Sequence, residues 1–475
     1  MKAIVFLKAC RLIALIAIAV QLTGCVQRDK PPDSAESAAV REPDIALRLA
    51  LRDDVDADAL NGLIGRFETA HPGVRVDRLQ LPRDRYDEML HMLMTSGEGP
   101  DLFQASTEWL ATYLYKNWLL DLSGIADEQM LSAYPRWAVD YTKDYSRFYA
   151  LPSEMLTLRL IYNKELFERA GLDPERPPET LEQLKRYAVR ISEAGTGYRI
   201  YGFALPAGED DPFRQALEMG GTYSGIYYYD FTEGEYDFTG YAPWFETMLE
   251  LKKDGGVFPG ETSLTMDTAL TQFAEGNVGM MYATSRDYAL LSRMMRSDAV
   301  GVAMPPLFDA ADQGVGALMV ALQSPIAIHR YTEHPAEAAA LWNELHSDAY
   351  LGGLFSQGKA IPVSGAITED PAYREGTDSI GAFLPRAGEE SPYPKEPKFI
   401  LENRTQSGLK NPDDRLRIKA YKDILLGVLP PEDVLRTLTE QYNRSLENAV
   451  YRNLINMEHY IDPDFDPRHP VKETE

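Results

Sequence analysis

Gly353-Leu-Phe-Ser-Gln-Gly358-Lys359 has the glycine and lysine spacing of a loop that cradles phosphate with backbone N–H groups. That chemistry also needs a Ser or Thr next, to hold magnesium, and a strand in front. Ala360 follows instead, and the preceding residues read as the end of a helix. The motif is set aside. Other reactive side chains lead no further. The chain has no His-Glu-x-x-His pair for zinc and no Gly-x-Ser-x-Gly elbow for a serine nucleophile. Cys10 and Cys25 are its only cysteines. This excludes a disulfide scaffold, a Cys-ligated metal site and a cysteine nucleophile deep in the chain. Among 73 acidic residues some carboxylate pairs look catalytic by chance, and the separation a glycosidase pair needs is spatial. Nothing in the sequence demands an enzyme, a metal or a cofactor.

The charge balance narrows the classes further. Acidic residues outnumber basic ones 73 to 48, a formal charge of -25, and no Lys/Arg-rich run interrupts the pattern. A nucleic-acid partner needs a concentrated basic face, so that class is excluded. The 475 residues are 44% hydrophobic and 25% charged, enough to bury two or three cores.

At the start, Lys2, Lys8 and Arg11 precede the apolar run Leu12 to Val20, and Leu22-Thr23-Gly24-Cys25 follows. The run is too short to cross roughly 30 Å of hydrocarbon, so it reads as a secretory signal. Its last four residues match the bacterial lipobox at every position. Residues 1–24 are then a lipoprotein signal peptide, and Cys25 takes lipid, palmitate included. Residues 25–44, with Pro31, Pro32, Pro43 and small polar residues, form a flexible tether. The protein is thereby placed at the extracytoplasmic face of a bacterial membrane, held by its lipid.

The elements behind the tether alternate between strand and amphipathic helix, which predicts an α/β fold with largely parallel sheets. Ile45 to Leu51 is a strand. Asp56 caps a helix whose Leu60, Leu63, Ile64 and Phe67 share one face. His71-Pro72-Gly73 breaks it, and Val74 to Leu81 returns as a strand. Thr180 and Gln183 form a capping box before Leu184, Ala188 and Ile191. Pro335 and Pro431 open two further helices. The stretch from about Thr368 to Asp414 has weak periodicity and reads as loops.

Several segments, in order over about 400 residues, resemble family 1 extracellular solute-binding proteins, the ligand receptors of ABC importers. The sharpest are Tyr149-Ala-Leu-Pro152, Leu160-Ile-Tyr-Asn163-Lys164-Glu-Leu-Phe167, and Pro178-Glu-Thr180-Leu-Glu-Gln-Leu184. Gly99-Pro100-Asp101-Leu102-Phe103 and Phe273-Ala-Glu-Gly276-Asn-Val-Gly279-Met-Met-Tyr282 are similar to an earlier and a later segment. The resemblance implies a periplasmic-binding-protein-like fold: two α/β lobes joined by a multi-strand hinge, with a ligand cleft between. It implies crossings near Leu151-Pro152, Gly316 to Leu322, and Pro362-Val363. The first lobe is then 45–151 plus 320–362, and the second 152–319 plus 363–475.

The implied function is capture of an oligosaccharide or related polar solute, delivered to ABC permease subunits without catalysis, cofactor or metal. A sensory receptor docking on a membrane kinase or chemoreceptor, and a surface polysaccharide enzyme, are the alternatives. Receptors of this kind stack aromatic faces on sugar rings and bond hydroxyls with planar polar groups. The residues the resemblance places at the cleft are Glu108 and Trp109 after the Pro-Asp strand, and Glu154 at the hinge. From the second lobe come Phe213, Tyr223 and Trp244, with Arg286 and Tyr288 after the Gly279-Met-Met-Tyr282 strand. Glu209, Asp210 and Asp211 read as a solvated turn. Arg286 stands where sugar binders often carry Trp, and an Arg fork prefers an acidic partner, which makes uronate-containing sugars an option.

Overall fold

The computed structural model describes the chain from residue 44 onward, apart from 54, 107–108, 127, 142, 145–146, 324, 378–379, 398–413, 454 and 472–475. The signal, Cys25 and almost all of the tether lie outside the described residues, and so does Glu108. The strands of the three larger sheets are, in chain order, β1 (Ile45–Arg52), β2 (Val74–Leu81), β3 (Leu102–Gln104), β4 (Ala150–Leu151), β5 (Glu154–Leu156) and β6 (Leu158–Asn163). They continue with β7 (Tyr201–Ala204), β8 (Val278–Thr284), β9 (Val300–Ala303), β10 (Ala321–Gln323), β11 (Ile326–Ile328) and β12 (Ile361–Pro362).

The first sheet has the order β2-β1-β3-β11-β4. β1 runs parallel to β2 from Ile45↔Val74 to Arg52↔Leu81, and parallel to β3 through Leu49↔Leu102. β11 is antiparallel to both β3 and β4. The connection from β1 to β2 is the helix Ala57–Ala70, and it forms for the reasons its sequence suggests. Asp56 Oδ1 accepts the Ala59 N–H at 2.9 Å, and Leu60, Leu63, Ile64 and Phe67 are its buried residues.

The second sheet has the order β9-β6-β8-β7. Every residue of β6 and β8 is buried, as strands covered on both faces must be. The helix Leu181–Ala194 packs on β7 closely enough that a Cβ at Gly202 would lie 1.9 Å from the Ala188 carbonyl oxygen. Only glycine allows that approach. The Thr180 cap is present, accepting the Gln183 N–H at 3.3 Å. Gln183 Oε1 accepts the Glu179 N–H rather than that of the cap, so half of the expected box forms.

β5, β10 and β12 make a third sheet, order β10-β5-β12, all antiparallel. Its strands lie beside β4, β6 and β11 in the chain, so it links the first two sheets. These are two α/β lobes with a multi-strand connection. After β12 the chain does not go straight to the second lobe as expected. The helices Gly365–Glu369 and Pro371–Arg374 pack on the helix Asp348–Ser356, which itself packs on Ala57–Ala70. Ile367 joins Tyr350 and Leu351 in one core. Residues 365–374 therefore sit with the first sheet, because the apolar positions of these short helices find their buried partners there. They also replace part of the loop stretch read from the sequence. The helices Asp414–Leu425 and Pro431–Tyr451 then pack on Ala242–Lys253 in the second lobe. Among the described residues no helix is long and apolar enough to cross a membrane.

Candidate functional site

Parallel strands end on one edge of their sheet, and loops leaving that edge converge on a crevice. Here β1 ends at Arg52, Arg83 stands two residues after β2, and β3 ends at Gln104 with Ser106 beyond it. From the other lobe, the loop after β7 leads into the helix Asp210–Arg214, which continues through the π-helical turn Gln215–Met219 into Gly220–Tyr223. It presents Asp211, Arg214 and Gln215. These residues, with Gln323 of β10, line a cleft of about 100 Å3 that opens to solvent.

One carboxylate ties the two walls together. Arg83 Nη2 donates to Asp211 Oδ2 at 3.1 Å, and Arg214 Nη2 donates to Asp211 Oδ1, also at 3.1 Å. Burial alone would raise the Asp211 pKa, but Arg214 and Arg83 outweigh it and hold the carboxyl below its ordinary value. Its ionised form thus favours the folded state above the usual carboxylate range of about 3.9. That contribution fades as pH falls through the lowered pKa. The melting-temperature gap between the parent and Asp211→Asn should accordingly be larger at pH 7 than at pH 3. A gap independent of pH would show that the bridge carries no stability.

The first-lobe wall is held from behind. Asp87 Oδ1 accepts from Ser106 Oγ at 2.8 Å and from the Tyr113 hydroxyl at 3.0 Å. The Tyr86 hydroxyl donates to the Ala50 carbonyl and accepts the Gln104 N–H, both at 3.0 Å. Gln104 Oε1 accepts the Arg52 N–H at 2.7 Å. The Arg52 guanidinium lies over the Tyr86 ring, 5.6 Å from its centroid, and 4.0 Å from Asp87 Oδ2. Its Nε is buried and donates no hydrogen bond.

The residues named from the sequence fall in several places. Glu108 lies outside the described residues. Trp109 is half-buried, its ring 5.6 Å from His91 and stacked on Tyr113 at 6.2 Å. Glu154 and Arg286 come together, Oε2 to Nη2 at 3.9 Å and each about one-fifth exposed. Tyr223 is half-buried, and burial raises its hydroxyl pKa, with Glu389 adding and Arg386 opposing. Three aromatics are corrections. Phe213 and Trp244 are fully buried, 6.1 Å apart, with Phe245 and Tyr421 against Phe213. Tyr288 is 4% exposed, its ring 4.8 Å from Phe383. Each ring buries more apolar area in the core than it would at a wet cleft, so packing claims it.

Arg52, Arg83, Gln104, Arg214 and Gln323 were not singled out by sequence reasoning, and Asp211 was read as solvated. A usable signal existed: charged residues immediately after parallel strands in a doubly wound fold. Among the described residues no group of three His, Cys, Asp or Glu side chains could hold a metal ion.

The comparisons bear on what this cleft belongs to. Residues 54–350 match the family model of the bacterial extracellular solute-binding proteins. The chain belongs to that family. Solute-binding proteins are also found among solved structures, and likeness to them extends over most of the chain. The GacH receptor of Streptomyces glaucescens, solved unliganded and with acarbose, superposes with a TM-score of 0.71 at 18% identity. It covers 85% of this chain and 99% of its own. Maltose-bound MalE3 of T. maritima gives 0.69 at 19% identity, over 84% and 99%. Among curated relatives, a candidate binding protein of Brucella abortus is 27% identical over 225 residues, 45% of this chain and 51% of its own. The chain spans about half the length of these curated relatives. At such identities the likeness to solved structures establishes the fold alone.

Proposed function

We propose that this solute-binding protein is the ligand-capturing component of an ABC importer, taking an oligosaccharide or related polar solute and delivering it to membrane permease subunits. The observation that carries the reading is the cleft itself, where polar side chains from both lobes and the hinge converge and Arg83 meets Asp211 across the gap. A solute touching both walls binds best when they are together, so it shifts the population toward the closed form. No bond is made or broken in the receptor. The half-buried Trp109 and Tyr223, and the Glu154–Arg286 pair at the hinge, supply further ligand contacts at the rim. The lobes are 45–151 with 320–362 and 152–319 with 375–475, the segment 363–374 going with the first. Cys25 carries the lipid, and the tether through residue 44 holds the body at the extracytoplasmic face of the membrane.

A thermal-shift screen over neutral, acidic and aminated oligosaccharides tests the binding step. A ligand for the folded form raises the melting temperature by mass action, about 2.7 kcal/mol at a hundredfold excess over Kd. The ligand should also be recovered chemically unchanged. A screen without any shift, or one that returns cleaved glycan, sinks the reading. For the anchor, a labelled fatty acid should enter the parent protein in bacterial cells and not Cys25→Ser.

A further inference from the structure

We propose that two ion pairs of opposite polarity latch the lobes to each other and set the balance between open and closed forms; this rests on lobe closure in the receptor reading above. The first pair is Arg83 of one lobe with Asp211 of the other. Asp287, in the first turn of the second-lobe helix Ser285–Leu291, is also within reach of the Arg83 charge. The second pair is centred on Asp56. Its Oδ1 caps the helix Ala57–Ala70, and Lys359 Nζ of the same lobe donates to it at 3.0 Å. Its Oδ2 stands 3.7 Å from Arg293 Nη2, which belongs to the second lobe.

The topology puts both pairs on the closing edges. Asp56 lies just beyond β1 and Arg83 just beyond β2, and these strands are parallel. β7 and β8 are parallel too, so the helix after β8 leaves the same edge of its sheet as the loop that leads to Asp211. Arg293 follows that helix. Polarity alternates along the two edges. The first lobe offers a cation at Arg83 and an anion at Asp56, and the second an anion at Asp211 and a cation at Arg293. Sliding one lobe along the other sets like charges against each other, so closure has one favoured register.

Neither pair is sealed from water. The side chains are 36% and 43% exposed at Arg83–Asp211, and 59% and 21% at Arg293–Asp56. An exposed pair is worth little by itself, and less as salt rises. The two therefore bias the lobes toward closure without locking them. A solute that binds only the closed form has its apparent affinity scaled by the closed fraction. Asp56 and Arg293 thus adjust affinity, although neither belongs to the described cleft lining.

The test is a distance measurement between the lobes. Spin labels go at Asn61→Cys and Glu182→Cys, both exposed helix positions, in the full chain carrying Cys10→Ser and Cys25→Ser. Without solute, raising salt from about 0.01 M to about 1 M should move population from the short distance to the long one. At low salt, Arg293→Gln and Asp56→Asn should each raise the open-to-closed ratio about two- to fivefold. Asparagine retains the helix cap, so Asp56→Asn loses the charge alone. Arg293→Glu, which faces Asp56 with a like charge, should open the lobes further. Lys359→Gln should not open them, because its bond to Asp56 stays within one lobe. In the Asp56→Asn background Arg293→Gln should add nothing, since its partner is already gone. A ratio unmoved by salt and by folded Arg293 variants overturns the inference. An Arg293→Gln effect undiminished in the Asp56→Asn background overturns it too. The latch is read without solute, so its failure is separate from that of the receptor reading, which falls if no oligosaccharide of the thermal-shift screen raises the melting temperature.

Discussion

Arg159→Met should cost about 3–5 kcal/mol of unfolding free energy, the usual penalty for removing one partner of a buried ion pair. Arg159 is fully buried in β6, and its side chain and that of Glu390 are both sealed from solvent. The guanidinium donates to both carboxylate oxygens, at 2.9 and 2.7 Å, and to the carbonyls of Leu158, Ala382 and Leu384 at 2.8 to 3.1 Å. Glu390 Oε2 also accepts the Arg386 N–H at 2.9 Å. Four of these bonds fasten residues 382–390 to the first strand after the hinge, the same segment that flanks Tyr223. Methionine fills much of the volume but leaves a carboxylate in the interior with its main counter-ion gone. Removing both charges with Arg159→Met and Glu390→Leu should recover a substantial part of the loss, since a well-packed apolar pair avoids the desolvation of two ions. Denaturant unfolding of the parent, the single and the double variant measures this. A single-variant loss below about 1 kcal/mol would mean that Glu390 finds water or another donor.

Trp244→Ala should be as damaging, about 3–5 kcal/mol, the range for truncating a buried aromatic. Trp244 is fully buried, with Phe213 at 6.1 Å and Phe245 edge-on at 5.3 Å. The indole fills the space between the helix Ala242–Lys253 and the helix Asp210–Arg214, and the latter carries Asp211 and Arg214. Truncation thus leaves a cavity under the second-lobe wall of the cleft. Trp244→Phe keeps most of the ring and should lose far less. The measurement separates core from binding site: thermal unfolding without ligand should drop steeply for Trp244→Ala. A ligand-facing tryptophan would behave in the opposite way, with an unchanged melting temperature and weakened glycan binding.

Both expectations turn on where apolar area goes, and that explains which parts of the site could be read early. The helix Ala57–Ala70 was legible because its cap and its apolar stripe are local: Asp56 bonds a residue three positions on, and Leu60 to Phe67 lie within two turns. The cap at Thr180 was legible for the same reason. Aromatic roles were not, since a ring's exposure depends on partners far along the chain. Phe213 rests on Tyr421 and Tyr288 on Phe383. Arg286 was named as a ligand contact, and the fold sets the Glu154 carboxylate of the hinge 3.9 Å from it, a pairing no local pattern marks.

Local patterns fixed the α/β class, the first strands and helices, and a family resemblance strong enough to imply two lobes and a cleft. Those rest on periodicity, caps and short motifs, all of which act over a few residues. They also predicted largely parallel sheets, whereas six of the nine strand pairings in the three larger sheets are antiparallel. The make-up of the cleft came from contacts between residues far apart in the chain. Arg83 and Asp211 are 128 residues apart, and Arg159 and Glu390 are 231 apart. No local pattern marks such pairs, because an isolated Arg or Asp satisfies itself in water wherever the chain leaves it exposed. Folding removes that water and lets geometry choose the partner. The same selection set Arg52 and Arg83 just at or after strand ends and Arg214 at the end of a helix, all lining the cleft, and buried the rings that sequence alone had placed there.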